Sequence, residues 1–183
     1  MKKAFPILLI VIGVAFAIGG VYTVVRGLDA RNQVQTELAA AKITTPEDAS
    51  IPNAAVTDKA TAESMANIID HHAMEATGGL TYSEMGRFAT PDADPAGTND
   101  SAAAAKDAAG KPLPNNARNT AFQASMLRTS LFSSIMAFEI ATLVVGLGIM
   151  LAALGIAIGG TGIAFAGLAI PAVGQRAGVT SGV

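Results

Sequence analysis

The chain reads as an all-α membrane protein, with two transmembrane helices flanking a mostly helical or irregular extracytoplasmic loop region. Three observations carry that reading. Residues 140–174 contain no Asp, Glu, Lys, Arg or His, and a second charge-free run fills residues 4–25. A hydrocarbon core of about 30 Å takes roughly 20 apolar helical residues to cross, because buried peptide groups must pair within the segment. Finally, the chain is 51% hydrophobic although residues 27–130 are rich in Asp, Asn, Thr and Pro, so its apolar content is concentrated in the two runs.

The first element, residues 1–26, begins Met1-Lys2-Lys3 and continues apolar to Val25. Ala15-Phe16-Ala17 offers a small-x-small cleavage pattern, but the apolar stretch runs on past it, so the segment is expected to be a retained, signal-anchor-like transmembrane helix. Pro6 falls in the first turn, where its missing N–H is no loss. Lysines before a first span hold it on the cytoplasmic side, whereas long loops translocate largely regardless of charge. Both termini are therefore expected in the cytoplasm of a plasma-membrane protein, with residues 27–130 outside.

Within that loop, residues 28–41 favour helix and continue the first span as a stalk, which Pro46 forbids from extending further. Residues 57–77 form the one amphipathic helix: Met65, Ile68, Ile69, Ala73 and Ala76 recur at three- and four-residue spacing, and Gly78-Gly79 supply a left-handed stop. Thr81 and Glu84 have the spacing of a capping box, which predicts a short helix there. The irregular segment 88–116 has few core-forming side chains and is expected to be extended or mobile. A long helix starts near Ala117 and enters the second span, residues 131–158. Residues 159–183 form a Gly-rich apolar extension: Gly159-Gly160-Thr161-Gly162 interrupts the run, and residues 163–173, with Pro171, are a re-entrant, interfacial or extended helical segment.

The composition narrows the function. Zero cysteines exclude thiolate catalysis and Cys-ligated cofactors, and a net charge of −2 gives no footprint for nucleic acid. The polar middle is too poor in large apolar residues to bury the core of an independent enzyme. Among metal ligands, His71 and Glu75 share a helix face at i, i+4 beside Asp70, which allows weak metal binding; the competing role is a surface pair near a helix C-terminus. His71 and His72 are the only histidines, and adjacent helical positions point about 100° apart, so they cannot supply the two-His, one-carboxylate face of a non-haem iron site. No cofactor is expected.

Two features point to helix packing. Gly148, Ala152, Gly155 and Gly159 form a small-residue stripe in the second span, and Gly13, Ala17 and Gly20 form another in the first; such stripes let helices approach closely, against each other or against another protein. Glu139 lies eight residues into the apolar stretch that begins at Leu131. A carboxylate at that depth needs a partner, water or the headgroup layer, and the reading here is a polar bond to another chain or a place near the headgroups beside Ser133 and Ser134.

Four segments carry a resemblance: Lys42-Ile43-Thr44 with Pro46-Glu47-Asp48-Ala49; residues 62–71; Glu75-Ala76-Thr77-Gly78-Gly79-Leu80-Thr81-Tyr82; and Ala124-Ser125-Met126-Leu127-Arg128-Thr129-Ser130-Leu131-Phe132. In this order they resemble a family of small actinobacterial two-span membrane proteins, many of which bear the label "aromatic ring-opening dioxygenase". The resemblance covers most of residues 1–155 and includes no catalytic motif, so it implies an architecture rather than that activity. Residues 89–114 and the tail after Leu154 depart from it and inherit nothing. An enzyme would need an acid, base or nucleophile constellation that is missing here. The expected function is a non-catalytic accessory subunit of a larger membrane complex, with lipids and integral membrane subunits as partners. The setting that the resemblance brings closest is the actinobacterial cytochrome bc–cytochrome oxidase supercomplex. The alternatives are a stand-alone envelope protein whose outer loop senses or binds a ligand, and a weak metal binder through His71 and Glu75.

Overall fold

The computed structural model of the chain describes residues 4–167. It contains three helices, α1 (Ala4–Ala40), α2 (Lys59–Ala76) and α3 (Asn116–Phe165). Among the described residues there is no strand, only isolated bridges. The chain divides into two compact units, Met1–Gly27 with Leu143–Val183, and Leu28–Thr142.

In the first unit, α1 and α3 run antiparallel. Both are apolar all round and long enough to cross a membrane, and only 17% of the most apolar window of each is buried. A core helix of a soluble protein would be mostly buried, whereas these turn their large side chains outward. Phe5, Ile7, Ile18, Met150 and Ile156 are all more than half exposed. What is buried is small: Gly13, Gly20, Gly148, Gly155 and Gly162 line the seam. The expected interruption at Gly159-Gly160-Thr161-Gly162 does not occur, and α3 continues through it to Phe165. Glycine weakens a helix by leaving peptide groups to water, and that competition vanishes in an apolar setting where the i→i−4 bonds are the only partners on offer. Residues 168–173 of the expected re-entrant segment lie outside the described residues.

The second unit extends to Thr142 and so takes in residues 131–142, which the hydropathy pattern placed in the second span. Its core is Leu38 of α1, Val56 of the segment before α2, Ala62 and Ala66 of α2, and Leu131, Ile135 and Phe138 of α3. Helix α2 starts with a reciprocal cap at Asp58 that the sequence reading missed: Thr61 N–H donates to Asp58 Oδ1 at 2.9 Å and Asp58 N–H donates to Thr61 Oγ1 at 3.2 Å. Its buried face also differs from expectation. Ile68 is buried as expected, but Ala62 and Ala66 are fully buried, Met65, Ile69 and Ala73 are only half-buried, and Ala76 is exposed. Alanines take the deepest positions because they let α2 approach its neighbours closely, which moves the larger Met65 and Ile69 to the edge.

Before α2, residues 43–56 fold back on themselves: Thr45 N–H donates to Ala54 O at 2.9 Å and Val56 N–H to Ile43 O at 2.9 Å. Buried Ser64 accepts from Ile51 N–H and Ser50 Oγ, each at 2.9 Å, which ties this turn to α2. After α2, Thr81 and Glu84 do pair, Thr81 N–H donating to Glu84 Oε2 at 2.8 Å. They close a turn and not the expected short helix, because Met85-Gly86 leads directly into the next segment.

Residues 88–116 are a correction as well: they form an ordered loop. Phe88 bridges to both Thr98 and Pro114, and Lys106 to Pro112. Three aspartates, Asp94, Asp100 and Asp107, each accept from the N–H two residues on, at 2.8–2.9 Å. At the centre, Asn115 is 4% exposed and its amide donates to Gly86 O at 3.1 Å and Pro95 O at 2.9 Å. Gly97, at φ +62°, sits beneath that amide with Phe88 O 2.6 Å from where a β-carbon would fall, so only glycine fits. Hydrogen bonds substitute here for a hydrophobic core.

Candidate functional site

The small-residue stripes meet each other. A β-carbon on Gly13 would lie 2.6 Å from Gly155 O and also strike Gly159; one on Gly20 would lie 2.6 Å from Gly148 O and 2.7 Å from the Ala152 Cα. Reciprocally, a β-carbon on Gly155 would lie 2.9 Å from the Ala17 Cα, and one on Gly148 would lie 2.7 Å from the Val24 nitrogen. Backbone rests on backbone over this seam, the close approach that small-xxx-small patterns permit. The stripes therefore have their counterpart within the chain.

Glu139 also has one. Its Oε1 accepts from Lys59 Nζ, which is itself 3.6 Å from Glu63. Lys59 opens α2, so the cap at Asp58 that begins the helix also places the ammonium against the carboxylate. Glu139 holds the Lys59 ammonium above its ordinary pKa range, by the hydrogen bond first and charge attraction second. The sequence reading gives Glu139 a polar bond to another chain or a place near the headgroups, and misses a partner 80 residues away in the loop.

The two histidines diverge. His71 Nε2 lies 3.3 Å from Glu75 Oε1, as the i, i+4 spacing predicts, whereas His72 Nε2 meets Asp48 Oδ2 at 2.7 Å. The hydrogen bond from His72 holds the Asp48 carboxyl below its usual range. Asp70 turns away from both and pairs with Arg128 at 2.7 Å. Among the described residues, no group of three or more His, Asp or Glu side chains is gathered to hold a metal ion.

A feature with no sequence signal is a groove of about 630 Å³ in the second unit. Val34 and Leu38 of α1, Ile43 of the segment after it, Met65 and Ile69 of α2, and Leu127 and Leu131 of α3 form its apolar walls. Gln33, Glu37, Ser130, Ser133 and Ser134 form a polar margin, and no Lys, Arg or His lines it. It exists because α2 packs by its alanines, leaving Met65 and Ile69 to face the gap between α1 and α3. Farther along α3, Arg118 stacks 3.9 Å over the Tyr82 ring, and Tyr82 lies 5.6 Å from Phe122.

Comparison of the chain with protein-family models, with curated proteins and with solved structures finds no match.

Proposed function

We propose that the chain is a non-catalytic accessory subunit of a membrane complex, anchored by α1 and α3 as an antiparallel hairpin, with Leu28–Thr142 folded outside the membrane and both termini cytoplasmic. The observation that carries the reading is the inversion of the first unit: its small residues face inward and its large apolar residues face outward. Such a surface is stable in lipid or against other apolar helices and not in water.

The reason for a protein partner shifts from the expected one. Glu139 and both glycine stripes are satisfied within the chain, so neither argues for a second protein. What argues for one is α3 in the second unit, where Phe122, Met126 and Met136 are half or more exposed. Large apolar residues clustered on a polar unit mark interaction surfaces. The resemblance to small actinobacterial membrane proteins makes the cytochrome bc–cytochrome oxidase supercomplex the first complex to test.

Purification from membranes in mild detergent, with identification of co-eluting chains, is the direct test. Stoichiometric integral subunits support the reading, and haem-carrying ones support its respiratory form. A lone homo-oligomer overturns both. The groove favours a second reading, a membrane-anchored protein whose outer unit binds a ligand.

A further inference from the structure

We propose that the groove between α1, α2 and α3 holds the hydrocarbon tail of a membrane lipid whose headgroup carries no net negative charge. The inference rests on the membrane reading above. Three properties of the groove select this occupant. Its volume of about 630 Å³ lies within the range of about 300–1,000 Å³ typical of small-molecule sites. Its walls are aliphatic side chains and methionine, with no aromatic ring to stack a flat ligand and no cation to bind an anion. The charged group among its lining residues is the Glu37 carboxylate, which disfavours a fatty acid or an anionic headgroup at the margin.

The polar margin suits a neutral polar head. Ser133 Oγ donates to Thr129 O at 2.9 Å and Ser134 Oγ to Ser130 O at 3.3 Å, so both hydroxyls keep lone pairs free to accept. The Gln33 amide can donate to an ester carbonyl. Ser133, Ser134 and Ala137 lie on α3 in the turns before Glu139, after which the charge-free stretch begins at residue 140.

The chain has no tryptophan, so one introduced residue reports alone. Leu127 and Met126 are neighbours on α3 and both more than half exposed, but only Leu127 lines the groove. Their comparison separates face from depth. The full chain is reconstituted in vesicles of phosphatidylcholine with tail-brominated acyl chains, which quench tryptophan on contact. Leu127→Trp is expected to lose most of its emission and Met126→Trp to keep most of it. Adding Ala137→Phe, which fills the groove, restores the emission of Leu127→Trp. Leu147→Trp, in the apolar run, reports the span itself. Quenching at Leu147 with equal emission at Leu127 and Met126 overturns the lipid site while leaving the span in place. No quenching at Leu147 overturns the membrane reading beneath it.

Discussion

Gly20 and Ala152 meet backbone to backbone: a methyl group on Gly20 would fall 2.7 Å from the Ala152 Cα. With no side chain between them, α1 and α3 gain dispersion contacts along the whole seam, and the glycines act as spacers whose absence of bulk is the functional property.

Bulk at the seam is therefore expected to destabilise the hairpin, and bulk beside it is not. Gly20→Leu or Gly155→Leu forces the helices apart, at about 1–3 kcal/mol or more for overpacking a close contact. Gly146 and Gly160 face open space on the same helix, so leucine there should be tolerated. Thermal unfolding in detergent makes the comparison. Equal loss at Gly146 and Gly20 would show that glycine matters here for some reason other than approach.

Lys59 and Glu139 should behave as a coupled but exposed pair. Side chains 45% and 56% exposed are screened by water, so Lys59→Met and Glu139→Gln should each shift the melting temperature only slightly, with a coupling that fades as salt is raised. The lysine pKa is raised, so its contribution is complete below the ordinary lysine value of about 10.4 and is lost as pH rises through the higher folded value. A double-mutant cycle at low and high salt reads this directly. A large, salt-independent coupling would mean that the pair is desolvated, for example by lipid or a partner.

The cap on α2 gives an acid-side prediction. Asp58→Ala removes an acceptor at the N-cap and is expected to lower stability by about 1 kcal/mol. Asp58 is held below its usual pKa mainly by the Thr61 N–H and then by its hydroxyl. A depressed carboxylate contributes fully above its unfolded value, and the contribution is lost as pH falls below about 4 through the folded value. Wild type and Asp58→Ala should thus converge in stability in acid. A gap that does not narrow as pH falls would contradict the charge assignment.

Asn115 ties the hydrogen-bonded loop together. Asn115→Ala leaves Gly86 O and Pro95 O without their donor, a loss of about 1–3 kcal/mol. Limited proteolysis within residues 88–114 should accelerate in this variant. Unchanged cleavage would show that the loop is held by other contacts.

How much of this was legible depends on range. The stalk and the amphipathic helix are local patterns, and α1 and α2 match them within a few residues, whereas α3 runs past the expected end of the second apolar run. Glu139 shows where local reading stops: its need for a partner was visible, but Lys59 lies 80 residues away and only the fold brings it near. The loop at 88–116 was misread for a different reason. Its lack of apolar side chains says little about its order, and the signal lies instead in Asp94-Pro95-Ala96, Asp100-Ser101-Ala102 and Asp107-Ala108-Ala109, a thrice-repeated turn former. Asp58 and Thr61 likewise have N-cap spacing, as Thr81 and Glu84 do, and only the first pair opens a helix. The groove was not legible at all, since it depends on which face of α2 turns inward, and both faces carry apolar residues.

The central claim is that α1 and α3 cross a membrane and leave Leu28–Thr142 outside. Because the chain has no cysteine, single cysteines at Ser101 and Ser181 can be probed in intact cells with a membrane-impermeant thiol reagent, before and after permeabilisation. The account predicts that Ser101→Cys labels in intact cells and Ser181→Cys only once they are opened. Labelling at Ser181 but not at Ser101 would invert the topology, and release of the protein from membranes by alkaline carbonate would contradict the anchor itself.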